Sequence, residues 1–222
     1  MAEPVRLPAR RAGPGGLSTH PARLRSWAVP IADRTARIAS EVFAPAVLVA
    51  ALMLVTGWHA GEQPGVSRWW GLPGALFAAG LPLAYVLRGV RQGRLSSHHI
   101  PEREHRRVPL LFGLASVAAG LVALVLLGAP RDILALLAAG GAGLIVFTVV
   151  THWWKMSIHA GVAAGTVATL TAISGPLALI GVPLVLLACW ARVRLSAHTP
   201  AQVVAGAVVG ALIAGTVFPA LR

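Results

Sequence analysis

Acidic side chains are scarce in this chain: seven Asp and Glu stand against 19 Lys and Arg, for a formal charge of +12. The loops between its apolar runs hold a single aspartate, Asp132. That sets aside chemistries built on paired aspartates and magnesium, intramembrane prenyl transfer among them, and no metal or other cofactor is expected. Cys189 is the one cysteine and falls inside an apolar run, so neither a disulfide nor a thiolate metal site can form. Lys155 is the one lysine. The basic residues lie in the N-terminal stretch and in short loops, without a basic face interleaved with aromatics, so nucleic acid is not an expected partner. The N-terminus has no apolar core of the kind a secretory signal needs, and its few serines argue against an organellar transit peptide. Gly140, Gly141 and Gly143 lack the strand context of a phosphate loop.

What is present is apolar. Of the 222 residues, 56% are hydrophobic and 12% charged, which points to an all-α, polytopic transmembrane helical bundle. Residues 1–37 carry seven arginines and two acids and read as a disordered Arg-rich tail, leaving 38–222 as the membrane domain. Apolar runs follow at about 38–58, 69–90, 108–128, 131–151, 158–174, 176–191 and 200–220, a count of six or seven spans. Trp69, Trp70, Trp153 and Trp154 suit the interfacial aromatic belt, and the many Gly and Ala permit close helix packing.

Three polar stretches interrupt this pattern. ARVRLSAHTPAQ (191–202) sets Arg192 six residues before His198, with Thr199 and Pro200 reading as N-cap and first residue of the next helix. SIHAGVAAG (157–165) sets Ser157 and His159 at the start of another helix. REHRRVPLL (103–111) clusters Arg103, Arg106 and Arg107 before Pro109. They follow spans six, four and two, so all three are expected on one side of the bilayer. Arginine bias, with Arg88, Arg91, Arg94 and the tail on that side against Arg68, Arg131 and Arg222 on the other, predicts that this side is cytoplasmic.

In order and spacing the three stretches resemble the motifs of the type 2 phosphatidic acid phosphatase (PAP2) superfamily, K-x6-R-P, P-S-G-H and S-R-x5-H-x3-D, over roughly residues 93–210. The third is matched at Arg192, His198 and, in place of its aspartate, Gln202. The second is matched at Ser157 and His159, with Met156 and Ile158 replacing proline and glycine. The first retains neither its lysine nor its Arg-Pro pair, and Arg103, Arg106 and Arg107 are the candidates for its role.

The resemblance implies a PAP2-like core and a metal-independent phosphatase acting on a phosphorylated membrane lipid: a polyprenyl phosphate, a polyprenyl-linked sugar phosphate or a phosphatidic-acid-like molecule. It implies that His198 attacks phosphorus to give a phosphohistidine, that His159 protonates the leaving group, and that Arg192 holds phosphoryl oxygens, assisted by the first-motif arginines and by Ser157. Lys155 is a candidate to replace the missing lysine. Gln202 supplies no charge where the family has a carboxylate, a change that in serine-protease triads costs roughly 10⁴ in turnover. It also stands at capping-box spacing from Thr199. The alternative expectation is therefore a catalytically inactive PAP2-like protein that binds anionic lipids or scaffolds membrane partners. His98, His99, His105 and His152 are expected to lie outside the site. Sequence alone leaves the oligomeric state open.

Overall fold

Prolines and glycines decide where each apolar run starts and stops. The computed structural model describes residues 30–95 and 107–222, and among these every regular element is a helix. The first is α1, Ile31–Val42, which begins inside the stretch expected to be tail to residue 37. The reason lies in its pattern: Ala36, Ala39 and Ser40 share one face and are buried, whereas Arg34, Arg37 and Glu41 are exposed. Residues 1–29 lie outside the described part.

Pro45 opens α2, Pro45–Ala60, and holds Ala44 extended (φ −60°, ψ 139°), so the two helices meet at a 46° bend. The next run, from Arg68 to Arg91, is one long but irregular helix: a 3₁₀ turn (Arg68–Trp70), α3 (Gly71–Ala75), a π turn (Leu76–Gly80) and α4 (Leu81–Arg91). Its irregularity has a cause. Pro82 has no N–H for the carbonyl of Ala78, and the N–H of Leu81 reaches back five residues to Leu76 O. The carbonyl of Phe77 then accepts from Ser116 Oγ at 2.6 Å, which ties this helix to α5, Arg107–Leu126. After a turn through Gly128 (φ 75°) come α6, Arg131–Trp153, and α7, Ile158–Ser174. A 3₁₀ turn at Pro176–Gly181 leads into α8, Val182–Arg194, and the last helix is α9, Pro200–Leu221.

All seven expected apolar runs are helical, but they are not seven equal spans. Five of the described helices are long and apolar enough to cross a membrane, six if the bent α1–α2 pair is counted as one span. At 17 residues α7 is shorter, about 25 Å at 1.5 Å per residue against a hydrocarbon core of about 30 Å. The helices form a bundle around Met53, Leu124, Ile133, Leu137 and Phe218, all buried.

Within the bundle α7 and α9 pack most intimately, and sequence explains why. Gly161 and Gly165 on α7 and Gly206 and Gly210 on α9 make two small-xxx-small pairs. A Cβ at Gly206 would fall on the carbonyl oxygen of Ser157, and one at Gly210 on that of Gly161. The two backbones touch, which aligns the first turn of α7 with the first turn of α9.

Candidate functional site

That crossing brings two of the three expected stretches together. The N–H of Ser157 donates to Gln202 O at 3.1 Å, joining the N-terminus of α7 to that of α9. His159, the second residue of α7, and His198, two residues before α9, are 8% and 6% exposed and line the same cavity. The cavity, about 330 Å³, runs between α2, α4, α5, α6, α7 and α9 and is walled mostly by aliphatic groups and Phe147. Thr169, ten residues beyond His159 on α7, still lines it, so it runs about 15 Å inward from the histidines. Pro45, Val86 and Pro109 also border it, so the first turns of α2 and α5 and the last turns of α4 meet the histidines at one end of the bundle, the motif end.

His198 is oriented by backbone. Its Nδ1 lies 3.2 Å from Lys155 O. A carbonyl oxygen can only accept, so this hydrogen bond requires the proton on Nδ1 and makes Nε2 the basic nitrogen of the neutral ring. The turn that presents the ring is fastened from α8: Ala197 N and His198 N donate to Arg192 O at 3.1 and 3.3 Å, with Ser196 in the left-handed region (φ 52°).

The remaining expected residues are differently placed. Arg192 is 5% exposed, but its side chain turns away from the histidine cavity toward α1, where Nη1 donates to Ser40 Oγ at 3.4 Å. There it lines a recess with Arg37, Ser40, Glu41 and Leu195. Gln202 does not take the part of the family's aspartate. Its Oε1 accepts from Thr199 N at 3.1 Å while Thr199 Oγ1 accepts from Gln202 N at 3.3 Å, a complete capping box that leaves His198 Nδ1 to the Lys155 carbonyl. Ser157 is fully buried as the N-cap of α7, its Oγ accepting from Ala160 N at 3.4 Å, and it does not line the cavity. Its hydroxyl and its N–H are thus both engaged, one in capping α7 and the other in the junction with α9. Lys155 is half-buried between α6 and α7. Arg107 is exposed at the first turn of α5, and Arg103 and Arg106 lie outside the described residues, as do His98, His99 and His105. His152 is exposed and sits edge-on to Trp153 with ring centroids 4.8 Å apart, outside the site.

Two contributors escaped sequence reasoning. Ser40 was hidden in a stretch read as a span start, although its spacing from Ala36 marks the buried face of an amphipathic helix. Asp33 and Arg194, 161 positions apart, pair at 2.7 Å and hold α1 against α8, a long-range contact that carries no local signal. Among the described residues no group of three or more His, Cys, Asp or Glu could hold a metal. Compared with family models, with curated proteins and with solved structures, the chain matches none.

Proposed function

We propose that this chain is a multi-pass phosphatase of the cell membrane that hydrolyses a phosphorylated lipid, in the manner of the PAP2 superfamily, with its motif end in the cytoplasm. The observation that carries the reading is that His159 and His198, 39 positions apart, line one apolar cavity at the same end of the bundle. An apolar channel about 15 Å deep accommodates a hydrocarbon chain, with the phosphorylated end left at the imidazoles. In the proposed reaction Nε2 of His198 forms a bond to phosphorus as the P–O bond to the lipid breaks. His159 delivers its proton to the departing alkoxide, and water then cleaves the phosphohistidine to release phosphate. The Lys155 carbonyl takes over the orienting part of the family's carboxylate, without its charge.

The test is phosphate release from a panel of phosphorylated lipids by the detergent-purified chain with chelator present. His198→Ala is expected to lower the rate by about 10³-fold or more, and His159→Ala by about 10²-fold to 10⁴-fold. Equal release by wild type and His198→Ala would remove the catalytic assignment, and activity that required added divalent metal would contradict the mechanism. A C-terminal reporter active only outside the cytoplasm is expected to be active; a silent reporter on stable protein would count against the orientation.

A second reading has its own observation. With Gln202 Oε1 committed to Thr199, the acceptor at His198 Nδ1 is the neutral carbonyl of Lys155, and the side chain in the place of the family's aspartate lends the imidazolium no charge. A catalytically inactive PAP2-like protein that binds anionic lipids would look the same. Lipid binding without phosphate release across the panel would favour it.

A further inference from the structure

The recess between α1 and the last turn of α8 lies beside the histidine cavity and has a different character. It measures about 290 Å³ and is lined by Arg37, Ser40, Glu41, Arg192 and Leu195. Arg192 and Ser40 are 5% and 3% exposed, whereas Arg37 and Glu41 are exposed on the same helix. A guanidinium has five N–H donors, and burying its charge is costly unless acceptors surround it. Among the described residues Arg192 has one long side-chain hydrogen bond, to the neutral hydroxyl of Ser40, and its buried Nε has no hydrogen-bond partner. The Glu41 carboxylate acts on it electrostatically. The Asp33–Arg194 pair holds the two walls together from outside.

Among the described residues that line the recess, the two guanidinium groups therefore bring more donors than Ser40 and Glu41 bring acceptors. A compact oxyanion with several acceptor oxygens fits that excess better than a carboxylate, because it serves Nε and Nη1 of one guanidinium while reaching a second. We propose that α1 completes a phosphoryl-binding site: Arg192, Ser40 and Arg37 hold a phosphoryl oxyanion in this recess, and Glu41 is the counter-charge that the oxyanion displaces. The inference rests on the phosphatase reading only in taking Arg192 as a phosphoryl-binding group. It adds two binding residues and one competitor from a helix that none of the three motif-like stretches includes. The oxyanion is either free phosphate or the headgroup of a lipid, and the two sources are separable by experiment.

The experiment uses the full chain in two arms: equilibrium dialysis of radiolabelled inorganic phosphate against detergent-purified protein, and binding of nanodiscs containing a non-hydrolysable phosphonate analogue of phosphatidate. Arg37→Gln and Glu41→Gln alter exposed side chains and leave the fold intact. Binding in either arm is expected, identifying the source. In that arm Arg37→Gln weakens affinity by about threefold to fivefold and Glu41→Gln tightens it by about threefold, the range an exposed charge contributes to a nearby charge. Absence of binding in both arms, or affinities that neither substitution moves, would overturn the proposal. His198→Ala keeps the two readings distinct, since it is expected to abolish phosphate release while retaining this binding. Phosphate release by wild type with no binding in either arm would leave the phosphatase reading standing and remove the recess.

Discussion

At the far end of the bundle a buried acid meets a base: Asp132, 6% exposed at the start of α6, lies 3.5 Å from the Arg222 guanidinium, which also donates to Ala172 O at 2.8 Å and covers the Phe218 ring. At the motif end a buried base meets a hydroxyl. Arg192 is as deeply enclosed as Asp132, yet among the described residues its side-chain hydrogen bond goes to Ser40 and its Nε has no partner. The first arrangement closes three helices on each other around an ion pair, although Asp132 Oδ2 has no hydrogen-bond partner among the described residues. The second leaves donor capacity in a recess beside two histidines, and a fold selected for stability alone would have filled that site with apolar groups of like volume. On the function proposed here, the difference separates the end that holds the bundle shut from the end that binds the phosphorylated ligand.

The most damaging way to test this division is to pry the motif end apart. Gly210→Val places a side chain on the carbonyl of Gly161, where backbone must move, and so separates α7 from α9 and His159 from His198. A loss of about 3 kcal/mol is expected, with a lower thermal midpoint in detergent and no phosphate release. Gly215→Ala, on the same helix but meeting only Ala168 Cβ at an ordinary 3.9 Å, is the control and should change stability by less than about 1 kcal/mol. If the two variants melt alike, the close crossing is wrong.

The next test exchanges the two charges. Asp132→Ala strips Arg222 of its carboxylate, and because Arg222 is 28% exposed the loss should sit at about 2 kcal/mol, below the range for a fully buried pair. Phosphate release should persist once the protein is folded. Arg192→Gln is expected to do the reverse, shifting stability by less than about 1 kcal/mol while weakening oxyanion binding in the recess by about tenfold or more. Should Arg192→Gln unfold the protein and Asp132→Ala abolish release, the assignment of the two ends would be inverted.

The readable part of this protein was whatever local pattern controls. The apolar runs, the Thr199 cap and the Pro200 start all follow from hydropathy and capping chemistry over a few residues, and the helices fall where those signals stand. That the three polar stretches share one end of the bundle is expected from counting runs, and Pro109, His159 and His198 line one cavity. The direction of a long side chain is another matter. Motif spacing fixes the Cα positions of Arg192 and His198 but not the rotamer, and burying Arg192 toward α1 depends on Ser40, 152 positions away. The expected tail boundary at 37 falls inside α1, because the arginines before it outweigh a small buried face in composition, whereas the spacing of Ala36, Ala39 and Ser40 on one side is that of a docked helix. The glycine pairs of α7 and α9 were legible as small residues, but their partnership was not.

The smallest expected effect is also the most specific. If Gln202 were a weakened form of the family's aspartate, Gln202→Asp would return a carboxylate to His198 and raise turnover toward the roughly 10⁴-fold that such a group is worth in serine-protease triads. The observed geometry argues otherwise, because the side chain at this position turns back to Thr199 N and His198 Nδ1 is already engaged by Lys155 O. A shorter carboxylate in the first turn of α9 keeps a favourable interaction with the helix N-terminus, so stability should shift by less than about 1 kcal/mol. Turnover should stay within about twofold of wild type, since no proton on the histidine changes its partner. A rise of tenfold or more would mean that the ring and the residue four positions on do meet, and that the cap is a resting arrangement from which catalysis departs.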